Sequence, residues 1–593
     1  MSLQATVPNF LVVPHSCSKT NNSEPLMAKS KYLTAPDPQE TSWPKGVKYI
    51  IGNEGCERFS FYGMKSVLQV HITALFVAAA MAETAAEEHA QEMVHLFVAG
   101  VYAFPMIGAI VADRWLGKYH TILTLSLVYC LGHFVLSIAE NTLTGMWIGL
   151  GLIAVGSGGI KPCVSAHVGD QFGKSNWHLV DKVFQAFYFI INFGSFFATL
   201  AIPAIRAWEH EHLDWSINIA GHEFQTSIAF GLPGVLMFIA TILFWMGRKV
   251  FVHVPANPGG KLGFMDTLSS SFLFMGFIGL PMFFFEIMPA LAFWPTLVGC
   301  IVVGGILFAV RQKMQQDDGF LAVMFYSLLH LGQSQKGGSK VDTSVDQDSV
   351  RNHWFFAAAA KKFDDITAEG PRAVLRIVTV FILISVFWAL FDQHASSWIR
   401  QAQRMDLNTG LGFTIGSFSW NGDVLPSQVS ALNPLMVMTL IPLNLFLIYP
   451  AIDKYIIKLT PLRKMTIGMF VASLAFAVVA WIQMRVDAGG NTDKVSVLWQ
   501  ILPYLIMTQS EVMVSITGLE FAYTQAPARM KSTIMGFWLL TVALGNKLVA
   551  IITKIPDMPL ANFFWLFAGL MAVAAAIFGV RGLFYTYKDY SQE

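Results

Sequence analysis

The chain has 593 residues, of which 54% are hydrophobic and only 13% are charged, and its mean hydropathy is +0.53. This composition is too apolar for a soluble multidomain protein of this length, so a lipid bilayer must be its solvent. The formal net charge of +1, with no basic block and no zinc-ligand spacing, indicates neither a nucleic-acid partner nor a metal site.

Apolar stretches of about 20 residues recur along the chain, each long enough to cross a hydrocarbon core of about 30 Å as a helix. Strands of a membrane β-barrel would instead alternate in runs of about 10 residues. The stretches predict fourteen helices. They cover residues 48–76, 93–112, 119–139, 143–168, 183–206, 225–247, 264–287, 290–311, 371–399, 428–451, 464–485, 497–522, 531–553 and 560–582.

Two polar segments outside these helices divide the chain. Residues 1–46 form a tail without the apolar core of a signal peptide, and residues 312–370 form a connector with charges of both signs. The rest is a six-helix bundle at 47–250, a hydrophobic hairpin at 264–311 and a second six-helix bundle at 371–585. Six plus two plus six helices indicate duplicated halves.

The distribution of Lys and Arg predicts that both termini lie in the cytoplasm. With the first residue inside, most of the 39 Lys and Arg fall in cytoplasmic segments, as the positive-inside rule requires. The first external loop carries acidic residues and no Lys or Arg; they are Glu83, Glu87, Glu88 and Glu92. We therefore expect a multi-pass protein of the cell membrane.

The loop between the second and third helices, residues 108–118, contains Asp113, Arg114 and Lys118. It resembles the loop signature of the major facilitator superfamily, in which an Asp and a basic residue brace helix ends against each other. The resemblance implies an all-α membrane protein with that superfamily's fold, two six-helix bundles, here with an extra hydrophobic helix pair. For this loop alone, an ordinary cytoplasmic loop is the alternative interpretation.

The first helix carries a charged stripe that includes Glu54, Glu57, Arg58 and Lys65. An ionisable side chain that faces lipid at a helix centre costs roughly 2.5–3.5 kcal/mol, so these four must line a wet cavity or meet partners. Their spacing places them, with Tyr62, on one broad face of the helix. The alternative is a buried ion-pair network that only staples helices together.

Residues 54–63 read Glu-Gly-Cys-Glu-Arg-Phe-Ser-Phe-Tyr-Gly. This segment resembles the ExxERFxYYG signature of the proton-coupled oligopeptide transporter family, which lies within the major facilitator superfamily. Phe61 replaces the first Tyr of the signature's pair and removes a hydroxyl from the expected substrate pocket. Lys65 stands where family members commonly have Arg, so any ion pair that it forms loses the bidentate geometry of a guanidinium.

Further segments resemble the family's motifs in the family's order. His95 and Tyr102 lie at the spacing of animal-type members, in which the His is linked to proton coupling. A downstream Asp of animal members is replaced by Asn444 or Leu445. The other matching residues are Lys161, Asn192, Trp388, Asp392, Asn433, Glu511 and Trp538.

The resemblance implies a symporter that uses protons to bring di- and tripeptides, and also peptide-like drugs, into the cell by alternating access. A peptide is a zwitterion, so a site that accepts many sequences must grip both of its ends. We expect Arg58 and Lys161 to receive the carboxylate, because a fixed cation acts strongly in a partly dry cavity. Glu511, with Asn192 and Asn433, would receive the ammonium group.

Four aromatic residues would form pockets for the peptide side chains, since aromatic faces accept varied groups with little directional demand. Interior packing is the alternative interpretation for each of them. These residues are Tyr62, Tyr102, Trp388 and Trp538.

Proton coupling requires carboxylates that are poised between an ionised, paired state and a neutral state. Glu54 and Glu57 beside the cations meet this requirement, as does Glu511, and His95 titrates in a useful range. Asp392 would form a gating salt bridge with Lys65 across the two halves. For His95, the alternative is a satisfied polar residue at a helix end.

Two rival functions remain: a family member that carries nitrate or another small solute, and a sensor that binds peptide without moving it. Neither a phosphate-binding loop nor an HExxH helix is found, so an enzyme is not indicated, and no cofactor is expected besides the coupling proton. The short loop between the helices at 464–485 and 497–522 leaves no room for the large extracellular domain of animal members. The hairpin at 264–311 resembles the extra pair of prokaryotic members, so we expect a protein of the bacterial inner membrane that functions as a monomer.

Overall fold

We describe a computed structural model of the chain over residues 32–212, 216–219, 222–225, 227–285, 288–315, 319–331, 350–415, 418–490, 492–525 and 531–587. Most of the predicted tail at 1–46 and part of the connector at 312–370 lie outside the described residues.

Six long helices form the first half of the described chain. Four of them contain proline, which membrane helices tolerate when neighbouring groups satisfy the freed backbone; these are Pro105, Pro162, Pro203 and Pro233. The helices are α1 (Val47–Ala78), α2 (Glu83–Leu116), α3 (Lys118–Ala139), α4 (Leu143–Gly169), α5 (Trp177–His212) and α6 (Ile228–Lys249).

A helical hairpin and two short connector helices follow, and then the second half. The hairpin is α7 (Gly260–Phe284) and α8 (Ala290–Met314). The connector holds α9 (Phe320–Leu329) and α10 (Ala357–Phe363). The second half is α11 (Asp365–Ala402), α12 (Pro426–Tyr455), α13 (Pro461–Gly489), α14 (residues 497–524), α15 (Lys531–Ile552) and α16 (Leu560–Leu583).

Thirteen helices in the described part of the chain are long and apolar enough to cross a membrane. One predicted helix, at 497–522, is not among the thirteen; the structure has it as the continuous helical run α14. Its middle carries four consecutive polar residues, Thr508 to Glu511, which lower its hydropathy. The helical class predicted from the sequence is thus confirmed, and its least apolar member carries a predicted site residue.

The described chain also contains two short antiparallel hairpins that the sequence pattern did not predict. Strands β1 (Ser216–Ile219) and β2 (His222–Gln225) lie between α5 and α6. Strands β3 (Phe413–Ile415) and β4 (Phe418–Trp420) lie between α11 and α12. Both are local connections and leave the helical architecture unchanged.

Each half has its own apolar core. In the first half, Ile72, Val98 and Phe230 belong to one cluster of buried side chains, and in the second half a separate cluster includes Phe476 and Phe567. The outer faces of the helices remain apolar and exposed, as lipid-facing surfaces are. On α8, for example, only 11% of the most apolar stretch is buried.

The hairpin packs where the two halves meet. Phe274 of α7 belongs to a small apolar cluster with Ala99 of α2 and Ala543 of α15. At the other end of α7, Asp266 accepts hydrogen bonds from Arg311 Nε at 2.5 Å and from Arg114 Nε at 3.0 Å. One carboxylate therefore joins both hairpin helices to the end of α2.

The expected role of the loop at 108–118 is corrected in part. Residues Val111–Leu116 continue α2 as a π-helix, and a single residue, Gly117 with φ of 79°, separates α2 from α3. Arg114 pairs with the hairpin, and it is Lys118 that braces helix ends, through an ion pair of 2.7 Å with Asp170.

Several predicted helix boundaries are wrong, and two of them have a visible cause. The second helix begins at Glu83 instead of 93, so the four glutamates predicted in an external loop belong to α2. Helical structure is possible there because Glu87, which is buried, faces Arg400 at 2.9 Å and Arg404 at 3.0 Å. The ninth predicted helix begins at Asp365 instead of 371, because the Asp364 side chain caps it by accepting a hydrogen bond from Thr367 N at 2.7 Å.

Candidate substrate and proton site

The charged stripe of α1 folds into a compact ionic cluster. Arg58 Nε lies 2.7 Å from Glu54 Oε1 and 2.9 Å from Glu57 Oε2, and all three side chains are buried. The cluster holds one cation and two carboxylates. Arg58, predicted to receive a substrate carboxylate, is thus already neutralised by its own helix, and one negative charge remains.

Lys161 of α4 is a second cation, which together with the α1 cluster forms the polar wall of the first half. No ionic partner among the described residues is in contact with it. Its buried ammonium nitrogen lies 4.2 Å from the ring centroid of Phe61 and 5.2 Å from that of Tyr102. It has no hydrogen-bond partner among the residues that the structure describes. Aromatic faces attract a cation but do not neutralise it, so Lys161 is the better placed of the two predicted carboxylate receptors.

A carboxylate that is held by an amide hydrogen bond lies in the second half and forms the polar wall there. Asn433 Nδ2 of α12 donates to Glu511 Oε2 of α14 at 2.8 Å and to Thr508 Oγ1 at 3.1 Å. Glu511 is partly exposed and directly precedes a π-helical turn, Val512–Ile516, a feature frequent at functional sites. The third residue predicted for this wall, Asn192, instead donates to Tyr188 O within α5 at 2.9 Å.

A hydrogen-bonded chain links the halves farther along α1. Lys65 Nζ lies 2.8 Å from Asp392 Oδ1, and Asn546 Nδ2 of α15 donates to Asp392 Oδ2 at 2.7 Å. Asn546 Oδ1 lies 2.7 Å from Nδ1 of His95, whose Nε2 lies 2.8 Å from Ser396 Oγ. All five side chains are buried.

The direction of these hydrogen bonds follows from Asn546. Its Nδ2 also donates to Val542 O at 3.0 Å, which only an amide nitrogen can do, so its Oδ1 must be the acceptor toward His95. His95 therefore carries a proton on Nδ1, and in the neutral ring its Nε2 accepts from the Ser396 hydroxyl. A neutral His95 is thereby tied, through one amide, to the Lys65–Asp392 pair.

Further ion pairs join the halves at the same end of the molecule. Glu87 of α2 pairs with Arg400 of α11 and with Arg404 just after it, and Glu92 of α2 lies 2.8 Å from Lys554. Sequence reasoning missed these pairs, as it missed Asn546 and Ser396. The available signal was polar residues within apolar helices, which seldom lack a partner in a membrane.

The two predicted pocket tryptophans pack against each other. The ring centroids of Trp388 and Trp538 are 6.0 Å apart at a steep angle, and Trp538 also contacts Phe381 at 5.1 Å. Both belong to the core of the second half and are less than a tenth exposed. Tyr62, in contrast, stands beside Phe61 with an interplanar angle of 80° on the stripe of α1.

Two helical halves, each with a buried polar wall, and ionic contacts between them define the chain as a membrane carrier of the major facilitator type. A family profile described as "PTR2: POT family" matches residues 119–278 and 299–566. The chain belongs to the POT family.

Solved structures support the same fold. The in meso crystal structure of the POT family transporter PepTSo is 37% identical, with a TM-score of 0.68, over 91% of this chain and 98% of that one. An auto-inhibited POT family peptide transporter is 34% identical, with a TM-score of 0.70, over 92% of this chain and 98% of that one. The predicted fold of the major facilitator superfamily is therefore confirmed.

Two curated relatives from animals match most of the chain. Peptide transporter family 1 of Drosophila melanogaster is 34% identical over 452 residues, which cover 75% of this chain and 48% of the relative. Solute carrier family 15 member 2 of Homo sapiens is 31% identical over 490 residues, which cover 81% of this chain and 54% of the relative. The chain thus spans about half the length of these relatives.

Proposed function

We propose that the protein is a proton-driven symporter that carries di- and tripeptides into the cell by alternating access. The observation that carries this proposal is a polar wall in each half, with a cation in one and a carboxylate in the other. The Lys161 ammonium group, which has no ionic partner in contact among the described residues, lies in the first half, and the amide-bonded carboxylate of Glu511 lies in the second. Relatives named as peptide transporters favour the same substrate class.

The charges match the two ends of a short peptide. Lys161 binds the carboxylate, and Arg58 takes part only when Glu54 or Glu57 is protonated and releases it. Glu511 binds the ammonium group, and Asn433 holds the acceptor oxygens in place. Asn192 joins this wall when its side chain turns away from Tyr188 O.

Proton uptake then exchanges ionic partners. A proton on Asp392 releases Lys65 and loosens the contact between the halves, because a neutral carboxyl attracts an ammonium group only weakly. A proton on Glu54 or Glu57 frees Arg58 for the substrate. Reciprocal breaking of such pairs lets the two halves rock around a fixed site.

Uptake of labelled dialanine by reconstituted protein under an inward proton gradient tests this function. We expect accumulation that a protonophore abolishes and that nitrate does not inhibit. Binding without accumulation would identify a sensor, and inhibition by nitrate would identify a carrier of small anions. A location in the cell membrane with both termini in the cytoplasm, and a monomer as the working unit, belong to the same proposal.

Glu511→Gln tests the ammonium wall. We expect uptake to fall at least about tenfold, because removal of one partner of a charged contact costs at least about 1.4 kcal/mol in binding. Glu520→Gln, an exposed carboxylate on the same helix, is the matched control and should leave uptake unchanged. Unaltered dialanine affinity in Glu511→Gln would refute the assignment.

A further inference from the structure

The connector helix α9 is apolar but too short to cross a bilayer. Its ten residues, Phe320–Leu329, span about 15 Å, half the thickness of a hydrocarbon core. It is the only shorter apolar helix found in the described part of the chain. Such a helix needs either a protein partner on every side or a bilayer surface.

One face of α9 packs on the connector, and the opposite face carries two exposed leucines at its C-terminal end. Val323 and Ser327 are buried, and Val323 joins a small core with Phe356 and other connector residues. On the opposite face, Leu328 is 55% exposed and Leu329 is 78% exposed. Leu321 and Phe325 continue this face at helical spacing, so the stripe runs along the whole helix.

The position of α9 beside α8 shows what covers this stripe. The Phe325 ring lies 5.1 Å from the ring of Phe308, and Phe308 is six residues, or about 9 Å, before the end of α8. With 25 residues, α8 is about 37 Å long and exceeds the hydrocarbon core. The α9 stripe therefore lies level with the border between head groups and acyl chains, continuous with the lipid-facing surface of α8.

Basic side chains accompany the stripe. Lys361 and Lys362 are exposed on α10, which packs on α9 through Phe363 and Tyr326, with ring centroids 5.5 Å apart. Exposed Trp354 precedes α10. Aromatic and basic residues at this level are typical of surfaces that meet anionic lipid.

We propose that α9 and α10 form a docking surface for the adjacent bilayer leaflet. Leu328 and Leu329 enter the border of the acyl chains, and Lys361 and Lys362 pair with the head groups of anionic phospholipids. The surface also contacts a helix of the second half, because the rings of Phe320 and Phe537 of α15 are 6.0 Å apart. Lipid composition in this leaflet thereby acts on α15, the helix that carries Asn546.

Spin labelling tests the docking in the full chain without relying on transport. A nitroxide at Leu329→Cys, in a background whose five cysteines are replaced, should collide more with oxygen than with a water-soluble nickel complex. The same label at Lys458→Cys, an exposed position between α12 and α13, should show the reverse preference. Water-like accessibility at 329 in phosphatidylglycerol nanodiscs would overturn the proposal.

A second measurement keeps all cysteines. Phosphatidylglycerol added to the purified protein should raise its melting temperature, and Lys361→Gln with Lys362→Gln should abolish the shift. Lys458→Gln should retain the shift, and glycerol phosphate, which lacks acyl chains, should not produce it. A shift that survives in the double variant, or that glycerol phosphate reproduces, would contradict docking to lipid.

Discussion

At the scale of single residues, Asn546 is the side chain that connects two titratable groups from different halves. Its amide accepts from His95 and donates to Asp392, with both distances at 2.7 Å. An amide cannot itself change charge, so it passes on the protonation state of each neighbour as a change in hydrogen bonding. Asn546 is therefore a positioning residue of the proposed proton machinery.

Asn546→Ala should separate this role from simple packing. The variant leaves buried groups of His95 and Asp392 unpaired, which costs about 1–3 kcal/mol of stability. Because ionised Asp392 loses a donor, the pH optimum of uptake should also move to higher pH. Melting temperature and a pH profile of dialanine uptake measure the two effects.

Asn444→Ala is the control for this experiment. Asn444 is equally buried and exchanges amide hydrogen bonds with Gln509 at 2.7 and 2.9 Å, far from the Lys65–Asp392 pair in the hydrogen-bond network. It should lose stability and keep the pH optimum. Equal pH profiles for the two variants would show that Asn546 is structural only.

The site residues that could be predicted from the sequence are those whose transfer into lipid costs much free energy. Charged residues such as Glu54 and Lys65 are easily recognised in an apolar stretch, because an unpaired charge is costly in a bilayer. The amide of Asn546 costs less free energy in lipid, and many groups could serve as its hydrogen-bond partners. Its partners depend on how α2 packs on α15, which periodicity does not reveal, and the same holds for the pairing of Arg58 with its own neighbours.

At the scale of helices, the crossing of α2 and α4 depends on glycine. A Cβ atom on Gly108 would lie 2.5 Å from Gly159 Cα and 2.6 Å from Gly158 O. Both contacts are with backbone, so the helices would have to move apart. The glycines of α4 predict close packing from sequence, but which of them lies in the contact is decided by helix rotation.

Gly108→Ala should therefore destabilise the protein by about 1–3 kcal/mol, as overpacking does. Gly151→Ala on the same α4 is the matched control, because no atom lies within 4 Å of a Cβ added there. Thermal melting of the purified variants compares them. Equal melting temperatures would show that α2 and α4 separate without cost.

Helix ends were harder to predict than helix centres. The first turns of α2 are acidic and resemble a loop until Glu87 meets Arg400 and Arg404, more than 300 positions later in the sequence. The start of α11 depends on a cap at Asp364 that precedes the apolar run. Both helix starts are determined by polar contacts, which the hydropathy of the sequence does not reveal.

At the scale of the whole molecule, one shared carboxylate joins the hairpin to the first half by ion pairs, beside their apolar contacts. Asp266 is buried and faces both Arg114 and Arg311. The helical class of the chain could be predicted from its apolar stretches. The attachment of the hairpin could not, because Asp266 has no distinguishing sequence context.

Asp266→Asn should cost about 3–5 kcal/mol, because removal of one partner of a buried ion pair leaves charges uncompensated. Asp365→Asn is the control: its pair with Arg351 is exposed, and such pairs contribute about 0–1 kcal/mol. Melting temperature measures both. A similar small change in the two variants would mean that the hairpin is held by apolar packing alone.

The ion pairs of Asp266 with Arg114 and Arg311 also bear on how the chain enters the bilayer during synthesis. Lys and Arg orient a helix end during insertion, whereas carboxylates have little influence on orientation. Arg114 and Arg311 can therefore direct their helix ends before Asp266 has any partner, and Asp266 joins those ends only after all three helices are in place. Orientation and attachment of the hairpin are thus separate events in biogenesis, although the same arginines serve both.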